Sequence, residues 1–131
     1  MPESREHALA LLQKARDDRY VLERLAEDPQ APLWTIGFHA QQAVEKALKA
    51  VLTDQGTEYP YTHNLSALVK LLEGAGVATP ADAAVFPRLT PYGAPLRYEP
   101  PVGKQQESHL DPSWATGLVK RTLAWAEDLL V

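Results

Sequence analysis

Asp18 interrupts an apolar series, Ala8, Leu11, Ala15, Leu22 and Leu25, that otherwise recurs at helical spacing. A carboxylate in that line must be paired, hydrogen-bonded or open to a cleft, because burying it alone is costly. The alternative is a slight turn of the helix that leaves Asp18 at the edge of the core. A second polar line, His39, Gln42 and Lys46, runs at i, i+3, i+7 through FHAQQAVEKALKAVL. Gln41 stands beside it, and Glu45 is placed to pair with Lys49 four residues on. This line reads as a solvated face or as the wall of a cleft or subunit interface. The second reading accounts for His39 and Gln41-Gln42 following closely on Trp34, Ile36 and Phe38.

Two further positions carry chemistry. His63, in YPYTHNLSAL, reads as a helix-entry histidine whose ring bonds a neighbouring backbone group, or as a catalytic imidazole. Arg97-Tyr98, in LTPYGAPLRYEPP, could fork onto a phosphate while a ring stacks a base. The competing role for Arg97 is to pin its loop to a helix carboxylate such as Asp18 or Glu45. The four histidines (7, 39, 63 and 109) lack paired ligand spacing, so no metal site and no cofactor is expected. Zinc-protease, phosphate-loop, nucleophile-elbow and EF-hand patterns are missing as well.

The elements that must position these groups are four helices. They are expected over about Glu3 to Glu27, Leu33 to Asp54, from Asn64 to Gly74, and from Asp111-Pro112 to the end. Gly56 follows the second, Asn64 caps the third, and Leu65, Leu68, Val69 and Leu72 form its buried face. Asp111 caps the last, which buries Ala115, Leu118, Thr122, Trp125, Ala126 and Leu129. Thr79-Pro80-Ala81-Asp82 reads as the start of a short helix capped by Thr79. Pro87, Pro91, Pro95, Pro100 and Pro101 then make the segment from Pro87 to Leu110 a long loop. The expected fold is all-α: an up-down four-helix bundle with an additional short helix and a Pro-rich loop before the last helix.

The chain has 131 residues, 13 Lys plus Arg against 17 Asp plus Glu, and no Cys. One domain, 1–131, is expected. The lack of Cys removes disulfide scaffolds, thiol nucleophiles and Cys-based zinc sites. A net charge of -4 argues against a broadly basic coat for nucleic acid but leaves room for a local basic cleft. The charged N-terminus and the lack of a long apolar run lead to the expectation of a cytoplasmic protein without membrane contact.

The stretch from Phe38 to Ala50 resembles the second helix of HEPN domains. The spacing to His63-Asn64-Leu65 and to Arg97-Tyr98 agrees with that family, as does the position of Asp18, so the resemblance covers nearly the whole chain. It implies a helical bundle that dimerises around a cleft, in a prokaryotic protein paired with a minimal nucleotidyltransferase in a toxin–antitoxin or related system. Several members of the family are metal-independent ribonucleases that use an Arg and, beyond four to six intervening residues, a His. This chain departs from that motif: Val102, Gly103 and Lys104 occupy the corresponding positions after Arg97, and the next histidine is His109.

Three functions compete. In the first, a homodimer binds nucleotide or RNA phosphate through Arg97 and Lys46, with Tyr98 stacking and Asp18, His39, Gln42 and His63 arranging the cleft. In the second, Arg97 works with a non-standard base, His39, His63 or His109, to cleave RNA. In the third, the chain is a purely structural dimer anchored by apolar residues such as Trp34, Phe38 and Trp114.

Overall fold

The computed structural model describes residues 2–93 and 110–131, and among these the regular structure is entirely helical. Four α-helices, α1 (Pro2–Ala26), α2 (Leu33–Asp54), α3 (Leu65–Gly74) and α4 (Pro112–Leu130), are joined by two 3-10 segments, Ala83–Arg88 and Thr90–Tyr92. None of these helices is long and apolar enough to cross a membrane.

The helix boundaries follow from local chemistry. Asn64 Oδ1 accepts the Ala67 N–H at the start of α3, and Asp111 Oδ1 accepts the Ser113 N–H at the start of α4. Both α2 and α3 close through a left-handed glycine. At Gly56 (φ 72°) the Thr57 N–H reaches back to the Leu52 carbonyl, and at Gly76 (φ 78°) the Val77 N–H reaches the Leu72 carbonyl. These six-to-one bonds satisfy carbonyls that a helix end would otherwise leave open.

Helix α2 lies at the centre, packed against α1, α3, α4 and the second 3-10 segment. Its alanines 40, 43, 47 and 50 are buried with Val44, Leu48, Val51 and Leu52. The small side chains favour the helix intrinsically and let neighbours approach closely. Leu12 and Leu22 of α1, Leu65, Leu68 and Leu72 of α3, and Leu118 and Leu123 of α4 complete one core cluster. At the start of α1, the Arg5 guanidinium meets Asp54 at the end of α2 and the Leu130 carbonyl at the end of α4.

Three expectations need correction. In α4 the stripe continues from Ala126 to Leu130, which is buried, and not to Leu129, which is exposed, and Trp125 is only partly buried. The short helix begins at Ala83, not at Thr79, and Asp82 makes no cap bond; its carboxylate takes Arg121 of α4 instead. The segment from Pro87 onward is not loop from its first residue, since Pro87 and Pro91 sit within 3-10 turns. The apolar residues Phe86, Leu89 and Tyr92 explain this, because the turns drive all three into the core. A Cβ on Gly37 would stand 2.4 Å from the Tyr92 ring, so the bare backbone of α2 makes room for that tyrosine.

Candidate functional site

Two carboxylates organise the polar chemistry around α2. Asp18 projects from α1, where its Oδ1 lies 3.0 Å from His39 Nδ1 and its Oδ2 lies 2.6 Å from Lys46 Nζ. Of the two readings open for this residue, it is the paired carboxylate: the residue is buried, and both oxygens are occupied. Burial works to raise its pKa, but the hydrogen bonds and charges of His39 and Lys46 outweigh it and hold Asp18 below the usual 3.8.

The second carboxylate is Glu45 of α2. Its Oε1 accepts from Gln41 Nε2 at 2.8 Å and lies 2.9 Å from His63 Nδ1, while Oε2 accepts from Lys49 Nζ at 3.0 Å. His63 stands just before α3, so this cluster ties α2 to the α2–α3 connection. The expectation that the His63 ring bonds a neighbouring backbone group is therefore corrected: its ring takes a carboxylate eighteen residues away in sequence. The His63 carbonyl accepts from Gln41 Nε2 at 3.1 Å.

Gln41 extends the Glu45 cluster. Its amide is fully buried, donating to Glu45 and to the His63 carbonyl and accepting from Gln42 Nε2 at 2.7 Å. Every polar atom of that side chain has a partner, the condition under which a buried amide is tolerated. Gln42 thus belongs to the site through Gln41. Gly93, at the end of the second 3-10 segment, completes the local packing: a Cβ there would lie 3.2 Å from His63 Cβ and 3.7 Å from Gln41 Cδ.

Each histidine faces a carboxylate through Nδ1, which places the Nδ1 proton and leaves Nε2 as the reactive nitrogen. Among the described residues no hydrogen-bond partner meets Nε2 of either ring, and both side chains are partly exposed. With neutral imidazoles the charges of Asp18, Glu45, Lys46 and Lys49 cancel. Each imidazole that takes up a proton adds one positive charge. A carboxylate-oriented imidazole of this kind can accept a proton, donate one, or hold an anionic oxygen.

Of the expected site residues, Asp18, His39 and Lys46 converge on one another, while Gln42 and His63 belong to the Glu45 cluster, Gln42 through Gln41 and His63 through Glu45. Arg97, Tyr98 and His109 lie outside the described residues. The proposed apolar anchors are partly buried: Trp34 packs against Tyr92, Phe38 sets its ring edge-on to His39, and Trp114 lies beneath the Arg88 guanidinium. Sequence reasoning paired Glu45 with Lys49 but missed its grip on His63, and it passed over Tyr59 and Tyr61. The rings of those tyrosines lie 5.5 and 5.9 Å from Lys49 Nζ. The available signal was the pair of tyrosines in Tyr59-Pro60-Tyr61, two and four residues before His63.

A family model described as HEPN domain matches residues 8–128. No curated protein and no solved structure matches the chain.

Proposed function

The chain belongs to the HEPN domain family, and from that membership, which points to nucleotide- or RNA-related function, we propose a homodimer that binds nucleotide or nucleic-acid phosphate. In this reading it works in a prokaryotic cytoplasm with a minimal nucleotidyltransferase partner in a toxin–antitoxin-like pair. It forms one domain over residues 1–131, with helices alternating in direction. The contacts of Arg5 with the ends of both α2 and α4 support that alternation.

The observation that carries the reading is a pair of imidazoles, one on α2 and one just before α3, each oriented through Nδ1 by its own buried carboxylate with Nε2 left over. Such nitrogens can donate to phosphate oxygens when protonated, and Lys46 and Lys49 add positive charge beside them. Asp18 holds His39 and Gln42 holds Gln41 in place, and Arg97 and Tyr98 add a guanidinium and a ring. Thermal melting with and without ATP tests this, because a ligand that binds the folded state raises the melting temperature. The wild type should shift upward, and His39→Ala and His63→Ala should shift less. A wild type unmoved by millimolar-range ATP, AMP and short RNA alike would contradict the proposal.

The same carboxylate–histidine pairs favour a second reading, metal-independent RNA cleavage with Arg97 and a non-standard histidine as base. An oriented imidazole can take the proton of an attacking 2′-hydroxyl, and a guanidinium can stabilise the charge that develops on phosphorus-bound oxygen. Under this reading RNA is cleaved in the presence of a chelator, and His39→Ala or His63→Ala abolishes cleavage. Retention of the wild-type rate by both variants excludes either as the base.

A further inference from the structure

Tyr61 is the most exposed large hydrophobic side chain among the described residues, at 90%. Exposure alone would mean little, since scattered surface aromatics are common. Its surroundings differ from those of an ordinary surface residue. The ring centroid lies 5.3 Å from that of His63 in an edge-on arrangement, and Lys49 Nζ lies 5.9 Å from the same centroid. Lys49 and His63 are both bonded to Glu45, which is itself buried. The tyrosine therefore leans on groups whose positions are set by the buried network, while most of its surface stays open to solvent.

We propose that Tyr61 is a base-stacking platform for a nucleoside monophosphate unit whose phosphate lies toward His63 Nε2 and Lys49. An aromatic ring stacks any base, because every base presents a π-face, and ring stacking combined with positive charge is how unpaired nucleotides are held. The side chains around Tyr61 match both halves of such a unit. The open ring takes the base, and the adjacent imidazole and ammonium take the anion. Glu45 and Gln41 orient the imidazole and do not touch the ligand. The unit could belong to a free nucleotide or to a single-stranded RNA; both present the same base and phosphate. This assignment rests on the phosphate-binding reading and specifies where the base goes within it.

Calorimetric titration separates the two. AMP, ribose 5-phosphate and a short oligoadenylate serve as probes against the wild type, Tyr61→Ala and Tyr61→Phe, with thermal melting of each free protein to verify folding. AMP should bind the wild type more tightly than ribose 5-phosphate. Tyr61→Ala should weaken AMP by roughly 5- to 150-fold and leave ribose 5-phosphate unchanged. Tyr61→Phe should retain AMP affinity, since it keeps the ring. Tighter binding of oligoadenylate than of AMP assigns the platform to RNA, and equal binding assigns it to the free nucleotide; both uphold stacking. Unchanged AMP affinity in Tyr61→Ala, or an equal loss for AMP and ribose 5-phosphate, overturns the platform while the phosphate reading stands. Failure of every probe to bind the wild type overturns the phosphate reading and the platform with it.

Discussion

The carboxylates beside α2 and those on the outer seams of the bundle make similar bonds in different surroundings. The Asp18 and Glu45 side chains are 12% and 6% exposed, and each holds at least two partners. The Arg16–Glu127 pair between α1 and α4 is closer than most, at 2.8 Å, yet its side chains are 41% and 37% exposed. Arg121–Asp82 joins α4 to the 3-10 segment with its guanidinium largely in water. Water screens the outer pairs and can replace either partner, so they contribute little. At the inner pairs water has been largely removed, and each charge depends on the others. Apolar residues of similar volume could fill that space at no loss of stability. Two inner carboxylates that each engage a histidine are better explained by what they do to the imidazoles.

The largest expected effect breaks the inner side of this contrast. Glu45→Ala leaves Lys49 and Gln41 with unmet donors in a nearly closed space and should lower stability by about 3–5 kcal/mol. Urea unfolding reads this directly, and a loss under about 0.5 kcal/mol would place Glu45 with the surface pairs.

A smaller effect comes from acid. The native-state pKa of Asp18 is depressed, so the unfolded state binds its proton more readily than the folded state does. Its stabilising contribution is fully present well above the ordinary value of 3.8, declines as pH falls through that value, and is gone below the depressed native value. Asp18→Asn should therefore flatten the acid limb of a stability–pH profile, and its deficit relative to wild type should shrink as pH falls through that range. A deficit independent of pH would mean that the carboxylate's charge is not what stabilises the contact.

The smallest effect sharpens the outer side. Arg16→Ala should cost only about 0.2–1 kcal/mol, and the difference should diminish further in high salt. Chemical denaturation at two ionic strengths would show it.

The α-helices were legible because their signals are local. Asn64, Asp111 and Gly56 act within a few residues of themselves, and the buried face of α3 follows from spacing alone. The difference at Leu129 and Leu130 arose where two adjacent leucines stand three and four residues beyond Ala126, both spacings that continue one helical face. The 3-10 turns were obscured because Pro87 and Pro91 argue against an α-helix, while the burial of Phe86, Leu89 and Tyr92 depends on α2 and α3 being in place. Asp18, His39 and Lys46 stood out as polar groups near apolar lines. The bond from Glu45 to His63 joins residues on separate elements, and periodicity within either element contains no trace of it. Arg97 and Tyr98, conspicuous in sequence, belong to the residues outside the structural description.

The alternation of roles along α2 has a consequence for its register. Toward α1 the helix offers hydrogen-bond donors, His39 and Lys46, to a carboxylate; toward the α2–α3 connection it offers the carboxylate, Glu45, to a histidine. Its apolar face is rich in alanines, which are nearly interchangeable when a helix slips or rolls against its neighbours. A shift of one residue turns the helix by about 100° and would swing both sets of polar groups away from their partners together. The two inward-facing pairs thus work as a two-sided key: the alanines permit close approach, and the charges admit only one alignment.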